Sequence, residues 1–298
     1  MRVLVTGAGG QLGRDLVIAF SGDVAPGGRR RALLGPEGPG PGVEVVGLSH
    51  DALGVEHRTE VLQAVDEIRP DVIVHAAAWT AVDACEQAPD QAFRVNALGT
   101  RHVAEAAADA GAHLVYVSTD YVFDGTATRP YVEWDAPSPR SVYGRSKLGG
   151  ELECPPDATV VRTAWVCGAS GTNMVKTALR LATEPGPLRF VDDQRGSPTF
   201  TADLAAAIVT LALDRRPGVH HVTNQGDASW YELVRAVLQA AGHDPGRVEP
   251  IATSDLDPPR PAPRPANSVL DNAALRLGGL PLLPDWHDGL ARLLAVLS

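Results

Sequence analysis

The chain has 298 residues, enough for one large α/β domain or a domain with a smaller lobe. Its 44% hydrophobic content supplies an ample core, and a net charge of −10 argues against a non-specific nucleic-acid or anionic-membrane surface. No apolar run approaches the ~20 residues that span a bilayer. Three scattered cysteines (Cys85, Cys154, Cys167) lack metal-ligand spacing, and MRVLVTGAGG opens as a strand rather than a signal peptide. The expectation is a cytoplasmic protein with no metal and no nucleic-acid or membrane partner.

Short Val-rich runs at 2–6, 43–48, 71–76, 114–118 and 159–163 read as buried strands. Helical patterns lie between them at 11–20, 58–68, 90–110 and 142–152. Such alternation predicts a doubly wound parallel sheet of the Rossmann type with right-handed crossovers. The Gly/Pro-rich run 22–42, with Arg29, Arg30 and Arg31, reads as a surface loop. His220 and His221 fall on a further strand and face opposite sides, which disfavours metal ligation by the pair. After Arg162 the texture shifts to Pro-rich loops and short helices. We therefore expect a nucleotide-binding domain from 1–168 with roughly 196–222. A smaller substrate-binding lobe is expected from roughly 169–195 and 223–298.

TGAGGQLG sets Gly7, Gly10 and Gly13 after the first strand and at the mouth of a helix. Glycine lets the backbone turn and approach a pyrophosphate, and the helix start offers free N–H groups, so this is a dinucleotide cradle. The second strand ends GLSHD, with Ser49 and His50 where an acid would bind the ribose 2′-hydroxyl of NAD. Without that acid a 2′-phosphate is not repelled, which favours NADPH, with NADH possible. Further on, a strand ends at Ser118, Thr119 and Asp120, where a hydroxyl can bind a substrate carbonyl. In SVYGRSKLGGE, Tyr143 and Lys147 lie one helical turn apart on one face, so the ammonium is expected to bring the phenol into the working pH range.

Together these residues resemble the extended short-chain dehydrogenase/reductase superfamily and, within it, the dTDP-4-dehydrorhamnose reductase family of nucleotide-sugar 4-ketoreductases. The resemblance runs through TGAGGQLGRDL, RPDVIVHAAAWTAVDACE, RVNALGT, STDYVFDG, VYGRSKLGGE, VRTAWVCG, DDQRGSPTFTADLA, SWYELV, RPANSVLD and LPDW. It implies NADPH-dependent reduction of the C4 keto group of a dTDP-4-keto-6-deoxyhexose, by a monomer or homodimer. The products implied are dTDP-L-rhamnose or a secondary-metabolite deoxysugar such as dTDP-dihydrostreptose. By the same resemblance Thr119, Tyr143 and Lys147 are the catalytic trio, and Asn96 orients the lysine through water. Gly10, Gln11 and Leu12 line the pyrophosphate, while Ala76, Ala77, Ala78, Thr80 and Ser118 flank the cofactor. Thr80, Val82, Thr119, Asp120, Tyr143 and Trp165 contact the sugar, and Arg264 is the candidate for the diphosphate or thymidine end.

The sequence also departs from the family pattern. Gly54 stands where an acidic segment usually follows the second strand, and Cys167 replaces an aromatic residue expected near the sugar pocket. Tyr121 stands where a sugar dehydratase carries a second carboxylate, which disfavours dehydration. A nucleotide-sugar epimerase and a non-catalytic NADP-binding regulatory subunit are the alternatives.

Overall fold

The structure, a computed structural model, describes residues 1–22 and 42–298; the arginines of the expected 22–42 loop lie outside the described residues. The chain opens with β1 (Arg2–Thr6), α1 (Gln11–Phe20), β2 (Glu44–Leu48), α2 (Arg58–Ile68) and β3 (Val72–His75). Two short helices, α3 (Val82–Gln87) and α4 (Pro89–Phe93), lead through a π-helical turn (Arg94–Leu98) into α5 (Gly99–Ala110). Then come β4 (His113–Thr119), α6 (Val142–Glu153) and β5 (Thr159–Thr163). Six parallel strands form one sheet in the order β2-β1-β3-β4-β5-β10, with β10 spanning Gly218–His221. β1, β3, β4 and β5 are almost wholly buried, which is why they read as unbroken Val-rich runs rather than as alternating ones.

The order reverses direction between β1 and β3, and ligands of such sheets sit at the carboxyl ends beside that reversal. Here those ends are Thr6, paired with His75, and Thr119, paired with Thr163. The helix expected over 90–110 is instead three pieces. Pro89 begins α4 at its first turn, and the π turn that follows carries the buried Asn96. A π turn inserts one extra residue per turn and re-aims what it carries, so an Ala-rich periodic pattern does not reveal it.

Beyond β5 lie β6 (Val166–Cys167), α7 (Met174–Ala182), β7 (Leu188–Val191), β8 (Arg195–Gly196), β9 (Thr199–Phe200) and α8 (Thr201–Leu213). After β10 come β11 (Ala228–Ser229), α9 (Trp230–Ala240), β12 (Val248–Ile251), α10 (Ala273–Leu277) and α11 (Trp286–Leu297). α8 packs with α1 under the sheet, whereas Val175, Leu188, Leu233, Val237, Trp286 and Leu290 build a second apolar cluster. Leu275 and Leu283, late in the chain, return to the sheet's own core. Each fully buried Val or Leu of these layers contributes about 1.5–3 kcal/mol. Among the described residues, no helix is long and apolar enough to cross a membrane.

α6 is fastened to the sheet by a buried ion pair. Arg162 of β5 donates from Nε and Nη2 to Glu151 at 2.9 and 2.7 Å, and the two side chains are only 4% and 7% exposed. Ser118 donates its hydroxyl to the same carboxylate. Breaking such a pair strands a buried charge. Glu151→Gln should therefore cost about 3–5 kcal/mol in urea unfolding, and a loss below about 1 kcal/mol would show that the pair does not hold α6.

Candidate active site

The glycine turn joins β1 to α1 at the reversal of strand order. Gly7 adopts φ +72°, and a Cβ there would lie 2.6 Å from the Ala77 nitrogen. A Cβ on Gly13 would lie 2.2 Å from the Gly7 carbonyl oxygen, so helix and turn approach as only glycine permits. Gly10 caps α1 without any side-chain hydrogen bond, leaving the first N–H groups of α1 for an anion. The donor set and the tight backbone fit a dinucleotide pyrophosphate. Ala76, Ala77 and Ala78 leave β3 against this turn, Ser49 follows β2 with its Cβ 3.3 Å from where one on Gly9 would stand, and Leu12 packs inward on the sheet. The Gln11 side chain is also a tie between segments. Its amide donates to the Thr172 carbonyl at 3.0 Å and accepts from Asn173 at 2.9 Å, tying the turn to the 168–173 loop.

The expected trio converges where β4 ends against α6. Ser141 caps α6 by accepting from the Gly144 N–H, and this starts the helix at Val142, one residue before Tyr143. A Cβ on Gly144 would sit 2.1 Å from the Tyr121 carbonyl oxygen, and one on Gly150 2.3 Å from the Tyr116 hydroxyl, so α6 lies unusually close to β4 and its following turn. Tyr143 is 8% exposed and Lys147 2%. The Thr119 hydroxyl lies beside Tyr143, accepts from the Tyr121 N–H at 3.3 Å and donates to Asp120 Oδ1 at 2.9 Å.

Lys147 is anchored by the strand beside it. Its Nζ donates to the Val117 carbonyl at 2.7 Å and lies 4.1 Å from the centre of the Tyr116 ring. Burial pushes Lys147 down to about 7, opposed by the Glu151 carboxylate one turn on. Burial likewise drives Tyr143 well above its ordinary value, opposed by the hydrogen bond with Thr119 and reinforced by Asp120. Desolvation favours the neutral phenol. Asp120 is raised to about 6 by burial, and His75, hydrogen-bonded through Nδ1 to Thr6, is lowered to about 3.

Several other expectations change. Asn96 makes direct bonds of its own: its amide accepts from the Trp79 N–H at 2.8 Å and donates to the Trp79 carbonyl and the Ser146 hydroxyl. It thereby clamps the segment after β3 to α6. Ser118 donates its hydroxyl to Glu151. Arg264 is spent on Asp83 through two hydrogen bonds of 2.9 and 2.8 Å, which fasten the Pro-rich segment to α3. Cys167 is buried in the second apolar cluster, its thiol raised to about 12, so it does not face a sugar. Thr80 is exposed at the start of the turn into α3, while Val82 packs against the cluster that holds Tyr143.

Two aromatic contacts were not legible beforehand. Tyr121 stands edge-on to Tyr143, with ring centres 5.5 Å apart. Trp165, held at φ +44°, stacks on Trp230 at 3.5 Å between ring centres. A non-glycine residue at positive φ marks strain that surrounding packing must hold. Trp230 lies in the SWYELV motif, which carries the family resemblance but no assigned site role.

Comparison with known proteins gives the same picture over the full length. The family model described as RmlD substrate binding domain matches residues 1–298. A Streptomyces antibioticus protein named probable dTDP-4,6-dihydroxy-2-methyloxan-3-one 4-ketoreductase is 43% identical over 97% of this chain and 93% of its own. The dTDP-4-dehydrorhamnose reductase of Streptomyces griseus is 42% identical over 97% of this chain and 91% of its own. A crystal structure of dTDP-4-dehydrorhamnose reductase from Bacillus anthracis, in complex with NADP, superposes with a TM-score of 0.87 at 37% identity, covering 99% of this chain and 98% of that one. On matches that run from end to end, the chain belongs to the dTDP-4-dehydrorhamnose reductase family.

Proposed function

We propose that the protein reduces the C4 keto group of a dTDP-4-keto-6-deoxyhexose with NADPH, yielding dTDP-L-rhamnose or a related deoxysugar nucleotide. The observation that carries this reading is Tyr143: a buried phenol beside Thr119 at the carboxyl edge of the sheet, where burial favours the protonated form. Burial favours the proton-bearing phenol, which suits delivery of a proton to a developing alkoxide rather than its removal. The absence of a second carboxylate after Asp120 fits the same direction, because Tyr121 fills that place.

The glycine turn, the start of α1 and the segment 76–80 would hold the dinucleotide, with Lys147 directed to its ribose. When bound, the reduced nicotinamide supplies the hydride for C4. Tyr143 Oη gives its proton to the C4 oxygen, and Thr119 holds that oxygen by hydrogen bond. Asn96 fixes the backbone at Trp79, so the cofactor edge and α6 keep a common frame. Tyr121 and the Trp165–Trp230 stack supply apolar walls beside the phenol and on the lobe side, suited to a 6-deoxy sugar that carries a methyl group. The substrate lobe we assign is 169–195 with 223–298, except that Leu275 and Leu283 serve the sheet. Three free cysteines accord with a cytoplasmic setting.

Tyr143→Phe removes only the hydroxyl. Turnover of a dTDP-4-keto-6-deoxysugar, followed by NADPH absorbance, should fall by about 10²–10⁴ while NADPH affinity stays within about twofold. Undiminished turnover would remove Tyr143 from the chemistry. Ser49→Asp should weaken NADPH binding by about tenfold and improve NADH, since a carboxylate repels a 2′-phosphate and binds a 2′-hydroxyl. Unchanged affinities for both would show that the end of β2 does not select the cofactor.

A further inference from the structure

A 2′-phosphate on the cofactor brings negative charge to the end of β2, in a protein whose own net charge is −10. Ser49 offers a hydroxyl there but no charge, so the phosphate needs a cation from a neighbouring element. α1 supplies one in Arg14, which is exposed. Gly10, Arg14 and Val17 share one face of the helix. Val17 shows where that face points: its Cγ2 lies 2.8 Å from where a Cβ on Gly47 of β2 would stand. Helical side chains lean toward the helix start, and Arg14 does so, donating from Nε to the Gly9 carbonyl at 3.2 Å. Gly9 in turn abuts the strand end. A Cβ on it would lie 3.3 Å from the Ser49 Cβ, and the Ala8 N–H donates to the Leu48 carbonyl at 3.0 Å. The guanidinium thus stands at the seam between the glycine turn and Ser49.

We infer that Arg14 recognises the 2′-phosphate of NADPH and thereby sets the preference over NADH; this rests on the cofactor reading proposed above. The Nε bond to Gly9 holds the guanidinium plane, and among the described residues no carboxylate pairs with it. Both Nη groups are left for a two-pronged contact with phosphate oxygens, the geometry to which a guanidinium is suited. Gly9 and Gly10 are exposed and carry no side chains, which leaves the approach open. Asp15, the one acid of α1, is turned into the core and only 2% exposed, so no carboxylate of that helix faces the phosphate. A 2′-hydroxyl offers Arg14 no charge. The contact therefore adds to NADPH affinity alone, and specificity is that difference.

Calorimetric titration of the full-length protein with NADPH and with NADH, in the absence of sugar, reads the two affinities directly. The fragments 2′,5′-ADP and 5′-AMP, which differ only in the 2′-phosphate, isolate its contribution. Arg14→Met should weaken NADPH and 2′,5′-ADP by about tenfold or more, while NADH and 5′-AMP stay within about twofold of wild type. Arg14→Lys keeps the charge but loses the fork, so its NADPH affinity should fall between the two. The wild-type advantage of NADPH over NADH should also shrink as salt rises from about 0.05 to 0.5 M, because the contact is exposed and ionic. An equal loss for NADPH and NADH in Arg14→Met would show that Arg14 only braces the glycine turn through Gly9, and would overturn the inference. Unchanged NADPH affinity in that variant would overturn it too, as would wild-type protein that binds both cofactors equally. Wild-type protein that discriminates between them as expected, yet oxidises no NADPH with any dTDP-4-keto-6-deoxyhexose, would refute the proposed function and leave the role of Arg14 standing.

Discussion

How tightly α6 lies against β4 sets the protonation of every reacting group. Gly144 and Gly150 let the helix backbone come within a side chain's thickness of the strand and its turn, and the Arg162–Glu151 pair holds it there. Water is thereby excluded from Tyr143, Lys147 and Asp120 together. Desolvation favours whichever form is neutral, so it raises the two acids and lowers the amine. A site biased in this way stores protons. That is the property a ketone reduction requires of its protein, because the hydride comes from elsewhere.

The same contact makes the scaffold economical. Asn96, in the π turn, grips the backbone at Trp79 and the Ser146 hydroxyl of α6, joining the segment beside the glycine turn to the helix that carries Tyr143. Gln11 ties the glycine turn to the 168–173 loop, and Arg264 with Asp83 ties the Pro-rich segment to α3. Three polar links thus bring distant parts of the chain to one sheet edge. Each uses a residue whose composition alone would suggest ligand binding.

The sheet was legible because its strands are buried on both faces and its helices amphipathic, so Val-rich runs and helical periodicity carry the information directly. The glycine turn was legible for a similar reason: local backbone geometry demands local residue types. What escaped was the destination of long polar side chains. Ser118, Asn96 and Arg264 occupy positions near the site, yet their partners, Glu151, Trp79 and Asp83, lie tens to nearly two hundred positions away in sequence. Helical spacing placed Lys147 one turn from Tyr143 but says nothing of burial, which is the largest influence on both groups. Trp165 and Trp230 likewise meet only because β6 and α9 fold onto one another across 65 residues.

The state of the Tyr143 phenol is therefore the most direct test. Tyrosine labelled with ¹³C at Cζ gives one signal for each of the five tyrosines, and loss of a signal in Tyr143→Phe assigns the one that matters. Burial predicts that this carbon keeps its phenol shift as pH is raised past the ordinary tyrosine value of about 10. Conversion to phenolate near pH 7–8 would mean that the Lys147 charge dominates after all, and would contradict the proton-storing site described here.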